Sequence, residues 1–175
     1  MSASVMIGMS GGVDSTVAAY LLQKQGYEVI GATMQLYTGN DLVSATAACA
    51  SLSDAEDAAR VAAALGIPHR VLDFTEAFRC HVIHRFVDAY RKGETPNPCI
   101  DCNRYMKFGR MLQYAAEAGI DYIATGHYAR IEKVGDRFYL KKALDQDKDQ
   151  TYVLYSLTQQ PVYKKMPSLY ILDFI

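Results

Sequence analysis

Tryptophan is absent from this 175-residue chain, and cysteine and proline are scarce, with four and five residues. Four cysteines without a visible secretory signal do not suggest a disulfide scaffold, and a C-x-x-C is typical of cytosolic thiols or metal ligands. No apolar run approaches membrane-spanning length, so we expect a cytoplasmic protein without a membrane segment. The formal net charge of -1 does not indicate nucleic-acid binding by the whole chain, although a local basic patch would be sufficient.

The remaining composition is that of an ordinary globular domain, and its hydrophobic patterning alternates between strand and helix. Apolar and β-branched runs predict four strands, at Val5–Gly8, Glu28–Leu36, His69–Phe74 and Tyr122–Thr125. Helical spacing and capping residues predict helices from Val13 to before Gly26, from Ser53 to Leu65, from Thr75 to before Gly93, from Asn103 to Ala118 and from Lys148 to Leu157. Gly135-Asp136 predicts a hairpin near residues 129–142.

This alternation predicts an α/β fold with a parallel sheet flanked by helices. Ligands of such sheets bind beyond the carboxyl ends of the strands. Four features fall at such ends, namely the loop at Ser10, Met34, Asp73 and Gly126-His127. The sequence therefore predicts one crevice surrounded by these four positions.

The stretch Ser10–Ser15, which reads SGGVDS, lies between the first strand and the first helix. Two adjacent glycines let the backbone turn tightly and approach a ligand, and N–H groups at a helix N-terminus favour phosphate. The stretch lacks the lysine of the G-x-x-x-x-G-K-[ST] loop. Asp14 suits a divalent cation or a ribose hydroxyl. The alternative is a Ser/Gly turn that merely caps a helix.

A second stretch, Thr95–Asn103, contains two prolines and the C-x-x-C of Cys99 and Cys102. We expect Cys102 to lie immediately before a helix, where the helix dipole, Arg104 and Lys107 would favour the thiolate. The edge formed by Arg104, Lys107 and Arg110 is suited to an anionic partner. Cys49 and Cys80 are interpreted as small buried hydrophobic residues.

Four sequence blocks together resemble the tRNA-specific 2-thiouridylases (MnmA type) of the ATP pyrophosphatase (PP-loop) superfamily. The blocks are GMSGGVDS, TPNP-x-x-x-CN-x-x-x-KF, ATGHY and KDQTY, and they lie between about Ile7 and Leu157. The resemblance implies an adenine nucleotide alpha hydrolase-like fold. It also implies a tRNA-uridine 2-sulfurtransferase, which adenylates the 2-oxygen of the wobble uridine with ATP and then transfers sulfur from a cysteine persulfide.

The resemblance also implies roles for individual residues. The ATP-binding residues would be Gly8, Met9, Ser10, Gly11, Gly12, Val13, Asp14, Ser15, Met34 and Gly126. Cys102 would be the nucleophile, and Asn97, Pro98 and Cys99 would hold the flipped-out target base. Lys148, Asp149 and Gln150 would contact tRNA. The implied cofactors are ATP and Mg²⁺, and the implied partners are tRNA and a sulfur-relay protein or cysteine desulfurase as sulfur donor.

The chain departs from the family pattern in two respects. Cys99 stands where the family often has an acidic residue, so it would act as acid or base, as a resolving thiol in a disulfide with Cys102, or with Cys102 as an iron–sulfur ligand. The family's chains are about twice as long and carry a second catalytic cysteine, the persulfide carrier. We therefore expect a catalytic domain over residues 1–158 and a divergent tail over residues 159–175, from truncation before tRNA-binding and barrel domains. The alternatives are a nucleotide-binding remnant without turnover and another adenylating ligase of the superfamily.

Overall fold

A computed structural model describes residues 2–37, 52–159 and 168–171. The strands are β1 (Ser4–Gly8), β2 (Glu28–Gln35), β3 (His69–Asp73), β4 (Tyr122–Thr125), β5 (Arg130–Val134), β6 (Arg137–Lys141) and β7 (Ser168–Ile171). Five of them form one sheet in the order β3-β2-β1-β4-β7, and every neighbouring pair is parallel. The remaining two, β5 and β6, form the antiparallel hairpin that the sequence predicts.

Within the described residues, four helices pack on this sheet or on one another. Helix α1 is Val13–Lys24 and α2 is Leu52–Leu65. Helix α3 consists of Thr75–Phe78, a π-helical stretch Arg79–Ile83 and His84–Arg91. Helix α4 consists of Pro98–Asp101, a π-helical stretch Cys102–Met111 and Leu112–Glu117. None of the helices in the described part of the chain is long and apolar enough to cross a membrane.

The central strand β1 is buried on both faces, and its side chains separate two cores. Val5 and Ile7 pack with residues of α1 and α2, among them Leu22 and Ala58. Met6 points the other way and packs with Met111 and other residues of α4. Because successive side chains of a strand alternate between faces, α1 and α2 cover one face and α4 covers the other.

Helix α4 begins at Pro98, earlier than the predicted start at Asn103. The side chain of Asn97 accepts a hydrogen bond from the Cys99 N–H at 3.0 Å, and Pro98 occupies the first helical position. Asn is a favourable N-cap and proline is favourable at the first position, so the two together start the helix. The prediction that Cys102 lies immediately before a helix is therefore wrong, because Cys102 lies one turn inside it.

The predicted helix Lys148–Leu157 is also wrong. The chain instead makes two short 3₁₀ turns, Gln146–Lys148 and Thr151–Val153. Asp149 lies between them in an extended conformation, and its carboxylate accepts hydrogen bonds from the Ala143 N–H at 2.7 Å and the Thr151 hydroxyl at 2.5 Å. These side-chain bonds compete with helical hydrogen bonding and interrupt the helix.

Two further expectations concern α3 and the C-terminal residues. The expectation that Cys80 is a buried hydrophobic residue is wrong, because Cys80 is exposed. Its thiol donates to the Glu76 carboxylate, which raises the pKa of the thiol. Cys49, for which the same was expected, lies outside the described residues. Strand β7 extends the sheet beside β4 and was not predicted from sequence, whereas the domain boundary at residue 158 stays a prediction.

Candidate nucleotide and thiol site

The glycine loop Ser10–Ser15 connects β1 to α1 at the carboxyl end of the central strand. The N-cap position of α1 is Gly12, which has no side chain with which to cap the helix. The Ser15 hydroxyl instead accepts a hydrogen bond from the Ser10 N–H at 3.4 Å and donates one to the Gly12 carbonyl at 3.1 Å. This arrangement differs from an ordinary side-chain cap and leaves the start of α1 suited to an anion.

Two glycines let neighbouring elements approach this loop closely. Gly11 has a φ of +76°, and a Cβ there would lie 2.7 Å from the Asp57 Cβ. A Cβ on Gly126 would lie 3.0 Å from the Ser15 nitrogen and 3.1 Å from the Asp14 carbonyl carbon. The segment after β4 therefore rests directly on the backbone of the first turn of α1.

Tyr128 joins the loop to the segment that contains Lys148. Its hydroxyl donates to the Asp14 carboxylate at 2.7 Å, which raises the pKa of the phenol. The Lys148 ammonium lies 5.2 Å from the centroid of the Tyr128 ring, a cation–π distance. The backbone of Tyr128 exchanges hydrogen bonds with Gln150, one with its side-chain oxygen at 3.0 Å and one with its N–H at 2.9 Å. The structure thus brings Asp14 together with Lys148 and Gln150, and Tyr128, which sequence reasoning missed, is the link.

His127 forms a second link, from β4 to α4. Its ring is 6% exposed, with Nδ1 2.7 Å from the Thr125 hydroxyl and Nε2 3.2 Å from the Lys107 ammonium. Burial, and to a lesser degree the charge of Lys107, lowers the pKa of His127 to about 3. Because an ammonium can only donate, Nε2 accepts, and the single ring proton lies on Nδ1 and points to Thr125. The ATGHY block contains both His127 and Tyr128, and it was the sequence signal that could have identified them.

We expect this neutral histidine to make folding pH-dependent. The folded pKa of His127 is about 3 and its ordinary value is 6.5, so between these values the unfolded chain binds a proton that the folded chain does not. The free energy of unfolding should therefore decrease below pH 6.5, with a His127 contribution of up to about 1.4 kcal/mol per pH unit. Urea unfolding of wild type and His127→Gln between pH 5 and 7 measures how the free energy of unfolding changes with pH. The change of this free energy per pH unit should be smaller in His127→Gln than in wild type and unchanged in His84→Gln. Equal changes in wild type and both variants would contradict the assignment of a buried neutral His127.

The two thiols lie at the start of α4. Cys99 is exposed in the first turn, and Cys102 is half-buried one turn later; no disulfide joins them. Cys102 packs against the cluster that contains Leu36 and Met106, to which Met34 also belongs. Asn103 is 4% exposed and donates from its side chain to the Cys99 carbonyl at 2.9 Å, which fixes the first turn of α4 from inside.

The loop and the thiols lie at the same edge of the sheet, although their helices cover opposite faces. Helix α4 precedes β4 and runs antiparallel to it, so its N-terminus lies toward the carboxyl ends of the strands. Lys107, five residues after Cys102 on α4, contacts His127 next to Gly126. The glycine loop and the first turns of α4 therefore lie toward the same edge of the sheet, where the sequence predicts the crevice.

A cavity of about 410 Å³ lies beside Asn97. It is lined by charged and polar side chains from α3, from the segment between α3 and α4 and from the first turn of α4, among them Arg85, Lys92, Asn97 and Asp101. Arg85 is held there by an ion pair with Asp101 at 3.2 Å. The volume is within the range of small-ligand sites. Of the predicted basic edge, Arg104 and Arg110 are exposed, whereas Lys107 is half-buried.

The fold and this site define a class of protein. The sequence matches the model of the family described as the tRNA methyl transferase HUP domain over residues 3–169, and the chain belongs to this family. A solved structure titled as a predicted subunit of tRNA methyltransferase from Methanocaldococcus jannaschii is similar with a TM-score of 0.57 and 19% identity. That likeness covers 98% of this chain and 68% of the other chain, and it shows the fold alone.

Curated relatives are much more similar in sequence. A tRNA-specific 2-thiouridylase MnmA from Clostridium kluyveri is 54% identical over 169 residues, which cover 95% of this chain and 48% of the relative. One from Clostridioides difficile is 56% identical over 162 residues, covering 91% of this chain and 45% of the relative. The chain therefore spans about half the length of the curated relatives it matches. The family resemblance and the parallel α/β fold predicted from the motifs are confirmed.

Proposed function

We propose that this chain is the ATP-binding catalytic domain of a tRNA 2-thiouridylase, which replaces the 2-oxygen of the wobble uridine with sulfur. The main support is the position of the glycine loop and the two thiols at one edge of the same sheet, connected through His127 and Lys107. The relatives named tRNA-specific 2-thiouridylase give independent support, because more than half of the aligned residues are identical.

The first step makes the uridine oxygen a leaving group, with ATP as a substrate. The 2-oxygen attacks the α-phosphorus, the bond from that phosphorus to the bridging oxygen breaks, and pyrophosphate leaves. Residues Gly8 to Ser15 would bind the phosphates, because backbone N–H groups at the start of α1 favour anions. Met34 and Gly126 would contact the adenosine part.

Asp14 is the residue in this loop that fits Mg²⁺. Its carboxylate accepts one hydrogen bond, from Tyr128, and carboxylate oxygens keep further lone pairs for a hard cation. When bound, the ion would neutralise part of the phosphate charge. Tyr128 would keep the Asp14 carboxylate oriented toward the site.

The second step transfers sulfur, and we assign its nucleophile to Cys102. The Cys102 thiolate takes the terminal sulfur of a persulfide on a sulfur-relay protein or cysteine desulfurase, and the donor leaves as a thiolate. The new persulfide attacks C2 of the uridine, and AMP leaves with the former 2-oxygen. A second thiolate then attacks the Cys102 sulfur, which releases the thiolated base and leaves a disulfide for an external thiol to reduce.

Cys99 is placed to provide that second thiolate. It lies one turn before Cys102 on the same helix and is exposed. The alternative in which both thiols hold an iron–sulfur cluster needs further ligands, and within the described ranges no group of three His, Cys, Asp or Glu side chains could hold a metal ion. The proposed steps therefore involve no cluster.

The tRNA would reach the site from two sides. Asn97, Pro98 and Cys99 would contact the unstacked base beside the cavity lined by Arg85 and Asp101. Lys148 and Gln150 would contact the tRNA backbone near the loop, since Lys148 is exposed. Asp149 would act indirectly, because its carboxylate already accepts two hydrogen bonds within the chain.

Incubation with ATP, a persulfide donor, a thiol reductant and unmodified tRNA tests the proposal. We expect pyrophosphate release that depends on tRNA, and exchange of one oxygen for sulfur at the wobble uridine by nucleoside mass spectrometry. A tRNA with cytidine at the wobble position is the matched control and should give neither product. ATP binding with no tRNA-dependent pyrophosphate release would contradict the proposal.

The assay also addresses a second candidate function, adenylation without sulfur transfer. Adenylation alone is favoured by one observation: the aligned region, which contains the glycine loop, covers 45–48% of the relatives' length. Pyrophosphate release with no thiolated product would support this candidate. Adding Cys102→Ala to the same assay separates the two by the final product: a thiouridylase would lose the thiolated nucleoside, whereas an adenylating ligase of another kind would form its product as before.

A further inference from the structure

Two exposed tyrosines, Tyr152 and Tyr155, follow the segment that contains Lys148 and Gln150. Tyr152 is 58% exposed and Tyr155 is 65% exposed. Proteins that bind single-stranded RNA commonly stack its bases on exposed aromatic rings. Resting on the proposed function, we infer that these two rings are an interaction surface on which unpaired bases of the tRNA, next to the target uridine in the anticodon loop, stack.

Buried side chains hold the segment that carries the two tyrosines. Val153 and Leu154 lie between them and are 5% and 0% exposed. Leu154 packs in the same hydrophobic cluster as Leu157, whose N–H donates to the Leu154 carbonyl at 3.0 Å. Residues three apart lie on the same side of such a turn. Leu154 and Leu157 therefore both face the protein interior, and Tyr152 and Tyr155, also three apart, both face solvent.

The same hydrophobic cluster brings the tyrosines close to the thiols. It includes Ile100, which lies between Cys99 and Cys102 in the sequence. The turn Thr151–Val153 contacts the first turn of α4, Pro98–Asp101, where the proposed function places the target base. A base that leaves the stack exposes the faces of its neighbours. Aromatic rings at this position are suited to cover those faces.

The charges near the tyrosines favour base stacking over attraction of phosphates alone. Lys148 is exposed, but Asp145 and Asp147 are exposed as well. A surface of mixed charge attracts the RNA backbone weakly, whereas stacking depends on the faces of the rings and tolerates any base. We therefore assign the bases to the tyrosines and an adjoining phosphate to Lys148.

Tyr152→Leu and Tyr155→Leu, singly and together, test this surface, because leucine keeps an apolar side chain but has no ring face. We expect the affinity for unmodified tRNA, measured by filter binding, to decrease by about fivefold to a hundredfold for each tyrosine. The matching phenylalanine variants keep the ring and should bind tRNA within twofold of wild type. Tyr20→Leu changes an exposed tyrosine on α1, on the other face of the sheet from α4, and should leave tRNA affinity unchanged. ATP affinity should be unchanged in every variant, which also shows that each one is folded.

A tRNA with an abasic nucleotide on one or the other side of the target uridine identifies the bases as the contact. One of these tRNAs should bind wild type at least fivefold more weakly than intact tRNA does, and the double leucine variant less than twofold more weakly, because the ring for that base is gone. Equal losses in wild type and the double variant, or unchanged tRNA affinity of the double variant, would overturn this inference alone. Wild-type protein that neither binds nor thiolates unmodified tRNA would overturn the proposed function and this inference together.

Discussion

Replacing Cys102 with serine should reduce tRNA thiolation by roughly 10³-fold or more while pyrophosphate release continues. The serine hydroxyl can neither accept the sulfur of a persulfide nor form the disulfide that follows. The half-buried thiol packs beside Met34 in a hydrophobic cluster, and serine is nearly the same size, so the fold should be retained. The measurements are thiolated nucleoside by mass spectrometry and pyrophosphate by a coupled assay, on the same reaction.

Two other cysteine variants serve as controls for this prediction. Cys80→Ser changes an exposed thiol on α3 whose partner is Glu76, and both activities should remain. Cys99→Ser should leave pyrophosphate release intact and accumulate tRNA joined to Cys102 by a disulfide bond, because the proposed resolving step releases the thiolated base. If Cys102→Ser thiolates tRNA as fast as wild type, the nucleophile is not Cys102 and the proposed second step is wrong.

Gly126→Ala should weaken nucleotide binding by at least about tenfold. The new Cβ would lie 3.0 Å from the Ser15 nitrogen and 3.1 Å from the Asp14 carbonyl carbon, both backbone atoms that cannot rotate away. The first turn of α1 must therefore move, and such overpacking costs about 1–3 kcal/mol. Because that turn would bind the phosphates, the displacement should reduce both stability and ATP affinity, measured by urea unfolding and calorimetry.

Gly66→Ala is the matched control for this second prediction. Gly66 follows α2 and has a φ of +70°, and a Cβ there would face open space among the described residues, its two chain neighbours aside. Alanine there should reduce stability by about 1–2 kcal/mol through backbone strain alone, with ATP affinity unchanged. Equal ATP affinity in wild type and Gly126→Ala would mean that the contact between β4 and the loop has no part in nucleotide binding.

Local patterns predicted most of the elements because each uses interactions within a few residues. Continuous apolar runs identified β1, β2 and β4, since strands buried on both faces of a parallel sheet have no polar face. Strand β3 is different, because three of its five residues are exposed. Two helix predictions failed where a side chain accepts a hydrogen bond from a backbone N–H. The Asn97 side chain caps α4, so this helix begins earlier than predicted. The Asp149 carboxylate interrupts the helix that the spacing of apolar residues indicated.

For the site, the sequence alone determined the glycine loop, the C-x-x-C and the expectation that both lie near the carboxyl edge of a sheet, because motif spacing and strand–helix alternation are local properties. Only the tertiary structure decided that Tyr128 binds Asp14, that His127 holds Lys107, and that the thiols lie inside the first turns of α4 on the other face from α1. These contacts join residues that are distant in the chain, and they depend on how the helices pack on the sheet, which no local pattern specifies.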